Sequence, residues 1–317
     1  MQVFHLIKMQ PNKKFINFRQ FVKKLEIINP SNYRKLNYFW KKQNLNYFKT
    51  SEELCKLLFY LEKAWKLRKY YSLKAYNNLC TETMEEQFYL KKKGTYRAIK
   101  EKLNNLNLYN SPKKMKSYLL GLILTQLLWP SHYRILDFYK NKIKSKKKIF
   151  FLEIGAGHGL LSKYLLENNS KNNGVICDLS KQSLILVKKV LNKKIKKSQL
   201  KYENLDFFKL KTNSKFDFII MGEVIEHVRK PLNFLIKAKK LLKKNGEIFL
   251  STCANCAQVD HLFHFKCIKQ IKRLIKKSNL IIKSDLISPS ENIDKKNWKK
   301  EKIAINYCAI LKKNEKS

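Results

Sequence analysis

The stretch Phe150-Phe151-Leu152-Glu153-Ile154-Gly155-Ala156-Gly157-His158-Gly159-Leu160-Leu161 decides how the rest of this 317-residue chain is read. An apolar run ending in an acid meets three glycines at alternate positions, and an amphipathic segment follows at once. The pattern predicts a buried β-strand, a tight turn and the start of a helix. Glycines in such a turn let a ligand's polar end lie against the backbone.

Downstream, the pattern alternates. Strands are expected at 149–154, 174–178, 200–205, 216–221, 247–251, 280–286 and 304–311, with helices over 159–168, 184–191, 231–242 and 266–276. Alternation of this kind builds an α/β domain, a mostly parallel sheet with helices on both faces. Ligands bind such sheets outside the carboxyl ends of the strands.

The spacing Gly155-x-Gly157-x-Gly159 after Glu153 is not the G-x-G-x-x-G of a pyrophosphate site. Asp178 ends the second strand, where a carboxylate can take both hydroxyls of a ribose. Asp206 follows the third and is trailed by Phe207 and Phe208, which suits an adenine amino group beside an aromatic wall. Gly222-Glu223 follows the fourth.

Together these residues resemble the class I S-adenosylmethionine-dependent methyltransferases over about residues 148–312. The likeness is strongest to small-molecule O-methyltransferases of the ubiquinone-biosynthesis type, through Phe216-Asp217-Phe218-Ile219-Ile220-Met221-Gly222-Glu223-Val224-Ile225-Glu226-His227-Val228. It implies a Rossmann-like seven-stranded sheet and S-adenosyl-L-methionine as cofactor. It further implies that Gly155 and Gly157 approach the methionine moiety while Glu153 holds the loop or the amino group. By the same resemblance Asp178 takes the ribose, Leu179 packs on the adenine and Asp206 binds its amino group. Phe207 and Gly222 count with the cofactor-binding residues, and Glu223 lies beside the sulfonium.

Methyl transfer from a sulfonium is an in-line displacement, so the protein must align the acceptor and remove its proton. Histidine suits that task near neutral pH. After the fifth strand comes Ser251-Thr252-Cys253-Ala254-Asn255-Cys256-Ala257-Gln258-Val259-Asp260-His261-Leu262-Phe263-His264-Phe265. Its Asn-x-x-x-x-Asp-His pattern is similar to that of O-methyltransferases that tailor polyketides. His261 is the candidate base, with Glu223 or Glu226 orienting it. Cys253, Cys256, His261, His264 and Cys267 also have zinc-like spacing. Cys253, however, falls in or at the end of a strand, and reduced cysteines commonly serve as small buried hydrophobes. No metal is expected.

The first 145 residues show almost no strand pattern. Helices are expected over 12–27, over 51–79 with Ser51 as cap, over 84–106 with a break near Gly94, over 111–128 and over 133–143. The run Lys144-Ser145-Lys146-Lys147-Lys148 suggests a boundary. The expected division is a helical lid or substrate domain at 1–145 and a cofactor-binding domain at 146–317.

The formal charge of +44 normally points to a polyanion. Yet only seven of the 68 basic residues are Arg, the lysines run along the whole chain, and RNA-binding surfaces favour Arg. The composition matches what an AT-rich coding sequence imposes. Seven cysteines, an odd count in a chain of this size, suggest reduced cytosolic thiols. No signal peptide is expected, and the apolar stretch 118–129 is about half a membrane span. The expectation is a soluble, cytoplasmic enzyme without membrane contact. Its acceptor would be a small molecule, free or held on an acidic acyl-carrier protein. An RNA or protein acceptor is the alternative, disfavoured because Gly222-Glu223-Val224-Ile225 replaces the D/N-P-P-Y box of base N-methyltransferases. A non-catalytic scaffold is the third reading.

Overall fold

Two acids organise the N-terminal helices in the computed structural model, which describes residues 15–97, 111–191, 199–291, 294–298 and 300–314. The first helical turn of any helix leaves N–H groups without partners. Glu52 meets that need for helix α1 (Ile16–Ile28), accepting from the N–H of Asn17 at 3.2 Å and of Phe18 at 2.8 Å. Helix α2 (Pro30–Trp40) starts on Pro30 and is capped by Asn29 Oδ1, which accepts from Asn32 N–H at 3.1 Å. Helix α3 (Leu45–Ala64) is capped in the same way by Asn44. Glu62, buried near its end, accepts from the N–H groups of Tyr70 and Ser72, both at 2.9 Å, at the start of α4 (Tyr71–Lys93).

These contacts correct the expected single helix over 51–79. Lys66 and Tyr70, with φ of 55° and 67°, turn the chain between α3 and α4. Ser51 lies inside α3, and Glu52 serves another helix's end. Pro30 begins a helix of its own, since a proline's missing N–H is no loss at a first position. Helix α4 stops at Lys93, before Gly94 at φ +77°. The rest of the helix expected to 106 falls partly on 98–106, outside the described residues. Helices α5 (Pro112–Leu128) and α6 (Pro130–Ile143) complete this part.

The chain divides into two compact units, 1–79 with 117–133, and 80–116 with 134–317. This division differs from the boundary expected at 145/146. The first unit's core contains a polar thread: Trp40 Nε1–H donates to Tyr47 Oη at 2.8 Å, and Tyr47 O–H donates to the Leu127 carbonyl at 2.7 Å. Both rings are fully buried, so each polar atom needs that partner.

The second unit contains a seven-stranded sheet in the order β3-β2-β1-β4-β5-β7-β6. Its strands are β1 (Phe150–Ile154), β2 (Asn173–Asp178), β3 (Leu200–Asn204), β4 (Phe216–Gly222), β5 (Leu242–Ala254), β6 (Leu280–Pro289) and β7 (Ile305–Lys313). The first five pair in parallel, and β7 runs antiparallel to both β5 and β6. Helices α7 (Leu160–Asn168), α8 (Lys181–Leu191), α9 (Pro231–Leu241) and α10 (Ile268–Lys277) connect them. The central strands read as nearly unbroken apolar runs because both faces are covered: Leu152, Ile219, Met221, Ile248 and Leu250 are all fully buried. Strand order reverses between β1 and β4, which opens a ligand crevice at their carboxyl ends. Among the described residues no helix is long and apolar enough to cross a membrane.

Replacing Glu62 by Ala leaves the N–H groups of Tyr70 and Ser72 without their acceptor. Chemical denaturation should show a loss of about 2–6 kcal/mol, from two donors at about 1–3 kcal/mol each.

Candidate active site

The glycine turn sits at the strand-order reversal. Gly155, at φ +68°, donates its N–H to the Cys177 carbonyl at 2.8 Å, and a Cβ there would stand 2.7 Å from Val224 Cγ2. Gly157, at φ +49°, donates to Asp178 Oδ2 at 3.1 Å. A Cβ on Gly157 would meet no atom within 4 Å, so the space above the turn is open. Asp178 Oδ1 accepts from Ser180 N–H at 2.7 Å. One carboxylate therefore ties the turn to the end of β2. Burial raises its pKa to about 6, against backbone hydrogen bonds that favour the charged form.

Glu153 is buried beneath the turn and accepts from Ser162 Oγ–H in the first turn of α7. Burial pushes its carboxyl up to about 8, opposed by the Ser162 hydrogen bond. Its observed partner thus belongs to the helix that follows the glycine turn. His158 Nδ1 accepts from Leu160 N–H at 3.2 Å, and desolvation lowers its pKa to about 4.

Beyond β2, Leu179 is 70% exposed, unusual for a leucine next to a buried strand. Asn204, at the end of β3, holds it in place by donating from Nδ2 to the carbonyls of Asp178 and Leu179 at 3.0 and 2.9 Å. Asp206 is exposed, and its Oδ1 accepts from Phe208 N–H at 2.8 Å. Phe207 is placed differently from the expected adenine wall. It is buried in the sheet's core, 4.7 Å from the Phe234 ring, because the turn at 207–209 points alternate rings inward and outward. Phe208, 46% exposed, is the ring that faces out. Lys237 fastens this turn by donating to the carbonyls of Phe207, Phe208 and Leu210. Neither Asn204 nor Lys237 was legible as a site residue; the only signal was a polar residue closing a strand or facing a turn.

At the end of β4, Gly222 leaves room for Leu161, whose Cδ1 would stand 2.6 Å from a Cβ. Glu223 has φ +51°, a strained conformation for a non-glycine residue. Its N–H donates to the Ser251 carbonyl at 3.0 Å and to Ser251 Oγ at 3.1 Å, locking β4 to β5. Glu226, fully buried, accepts from Thr252 Oγ1–H at 2.7 Å. Its carboxyl is pushed well up by burial and then by Glu223, whose own carboxyl is also raised by burial. One Oε1 atom on each of these two acids is buried without a hydrogen-bond partner.

His261 is buried, and its Nδ1 lies 2.8 Å from the Cys256 carbonyl. A carbonyl can only accept, so Nδ1 carries the proton and the ring's lone pair is on Nε2. A backbone carbonyl therefore orients the ring. Glu226, His227 and His261 each bring a side-chain donor atom within 4.8 Å of the others. Glu223 gathers instead with Glu226 and Cys253. Among the described residues the five-residue Cys–His set of the loop is not one of the clusters that form.

Residues 83–96 hold this loop. Tyr96 O–H donates to the same Cys256 carbonyl, and the Tyr96 ring stacks on His264 at 4.4 Å. Gln87 donates to the Asn255 carbonyl at 2.9 Å and accepts from Ala257 N–H at 3.0 Å. Thr83 donates to Gln258 at 3.0 Å. No sequence pattern announced these contacts, which join positions more than 150 apart.

The residues along the carboxyl edge fit S-adenosylmethionine. Open space lies over Gly157, Leu179 and Phe208 expose apolar surface near Asp206, and Glu223 keeps an unpartnered carboxylate oxygen.

Residues 152–248 match the family described as "Methyltransferase domain". The chain is 36% identical over 109 residues to the ubiquinone biosynthesis O-methyltransferase of Pelagibacter ubique, covering 34% of this chain and 44% of that protein. It therefore spans less than half the length of that relative. The enzyme of the same name from Haemophilus ducreyi is 25% identical over 209 residues, covering 59% of this chain and 86% of the other. Among solved structures, the N-methyltransferase NodS from Bradyrhizobium japonicum WM9, in complex with S-adenosyl-L-homocysteine, aligns with a TM-score of 0.43 at 13% identity. That alignment covers 57% of this chain and 87% of NodS.

The raised pKa of Glu153 makes a stability prediction. A carboxyl at about 8 when folded and near 4.5 when unfolded keeps its full stabilising contribution below about 4.5 and loses it as pH rises through about 8. Between pH 5 and roughly 9 the wild type should lose melting temperature relative to Glu153→Gln. Parallel melting curves for the two proteins across that range would refute the assignment.

Proposed function

We propose, from a chain that carries a class I S-adenosylmethionine-dependent methyltransferase domain, that the protein methylates a hydroxyl oxygen of a small molecule, free or borne on an acyl-carrier protein. The observation that carries this reading is the His261 ring. Its Nδ1–H is engaged by the Cys256 carbonyl, so Nε2 is the basic atom, and the ring lies in a group with buried Glu226 and half-buried His227. The names of the two O-methyltransferase relatives support an oxygen acceptor.

The backbone at Gly155 and Gly157, with Asp178, Leu179, Asp206 and Phe208, would hold the cofactor along the carboxyl edge. When bound, it supplies a methyl group already activated on a positively charged sulfur. The chain's own task is then to align the acceptor and take its proton. His261 Nε2 takes that proton, and the loop contacts from Gln87 and Tyr96 keep the ring from swinging away. A charge of +44 would draw an acidic carrier protein toward the site's surroundings, more weakly as salt rises.

Two measurements test this. Calorimetry on the purified protein should show binding of S-adenosylmethionine, and its absence removes the enzyme class. His261→Ala should keep that affinity while losing about 10²–10⁴-fold in turnover of a hydroxyl acceptor, the usual worth of a positioned base. Full turnover in that variant overturns the role given to His261.

A further inference from the structure

We propose that Cys253 and Cys256 are a site of reversible oxidation by small disulfides of the glutathione type, and that closing their disulfide withdraws the support of His261. Its effect on turnover rests on the role proposed above for His261, whereas its chemistry does not.

Methyl transfer makes no use of the Cys253-x-x-Cys256 spacing, the shortest between any two of the seven cysteines. The fold brings this pair together. Cys253 is fixed in β5, opposite Asn306 of β7, and is 1% exposed. Asn255, at φ +52°, turns the chain just past the strand, and its N–H donates to the Phe265 carbonyl at 2.8 Å. Across that turn the two thiols are hydrogen-bonded to each other. Cys256 is half-buried, so of the two it is the one open to solvent. The contact with Cys256, and then burial, hold the Cys253 thiol well above the usual thiol range and keep it protonated. An accessible sulfur beside a shielded one is the arrangement of dithiols that exchange with small disulfides.

The Cys256 sulfur attacks one sulfur of the external disulfide and expels the other as a thiolate, which takes the Cys256 proton. A mixed disulfide remains. The Cys253 sulfur then attacks Cys256 Sγ, and its proton goes to the second departing thiolate. The protein's dithiol is oxidised to a disulfide, and the external disulfide is reduced to a pair of thiols.

The new S–S bond is about 2.05 Å long, shorter than any contact between hydrogen-bonded thiols, so one cysteine must move. The β5–β7 ladder holds Cys253, and the shift falls on Cys256. Its carbonyl is the acceptor for both His261 Nδ1–H, at 2.8 Å, and Tyr96 O–H. Displacing that carbonyl removes the contact that sets the His261 tautomer, and the lone pair is no longer fixed on Nε2. One peptide group thus couples the thiol pair to the base.

The test uses the full chain, reduced with dithiothreitol and then equilibrated with mixtures of reduced and oxidised glutathione. Mass spectrometry should show the peptide carrying both cysteines lose two hydrogen atoms, with neither residue open to alkylation. The His261 imidazole resonance, assigned with His261→Ala, should move on oxidation and return with dithiothreitol. Turnover of a hydroxyl acceptor should fall by about 10-fold or more in step with it. Cys256→Ser and Cys253→Ala should abolish the response to oxidant, and their melting curves report that each variant is folded. Full alkylation of both cysteines in the most oxidising mixture, or a glutathione adduct on Cys256 that goes no further, overturns the pair. A disulfide that leaves the His261 resonance in place overturns the coupling. The two readings fail separately. A disulfide that shifts His261 in a protein with no transfer to any hydroxyl acceptor removes the proposed function alone.

Discussion

The Asp178 carboxylate is the constraint on which the cofactor end depends. It sits at the end of β2 and receives the N–H groups of Gly157 and Ser180, so one side chain closes the glycine turn against the next strand. Glu153 does the same from below through Ser162. Both acids are buried, and their raised pKa values measure the desolvation that the fold accepts to keep the turn in place. Positive φ at Gly155 and Gly157 follows from this geometry, and the open space over Gly157 is its product.

At the other end the fold gathers two carboxyl groups within a strongly basic chain, and burial raises the pKa of both. Glu223 and Glu226 lie side by side at the end of β4, fastened by Ser251 and Thr252 of β5. Exposed lysines such as Lys243 and Lys283 pair with other acids, Asp217 and Glu247, and can steer acidic partners. Strain at Glu223 accompanies this arrangement, as it often does where backbone is shaped by a site.

Much of the cofactor half was legible because it depends on local order. An apolar run, alternate glycines and acids at the ends of successive strands all recur at spacings that a linear reading can see, and the observed sheet has the seven strands those spacings imply. Phe207 and Phe208 show where linear reading stops. Both are phenylalanines after the same acid, and only packing against Phe234 decides that Phe207 turns inward. The helical part was read less well for a similar reason. Glu52 and Glu62 look like first-turn acids of one long helix, yet each finds N–H groups at the start of another helix.

By itself, then, the sequence determined the strand–turn–helix at 150–168, the succession of strands along the chain and the acids that close them. Those features arise from interactions between near neighbours and from the two-residue period of a strand. Only the tertiary structure decided what surrounds His261. The Cys256 carbonyl settles its tautomer, Gln87 and Tyr96 reach its loop across more than 150 positions, and Glu226 and His227 join it from a different strand end. Contacts between distant segments leave no periodic trace in a single chain, because any residue of suitable chemistry can make them once the sheet has brought it near.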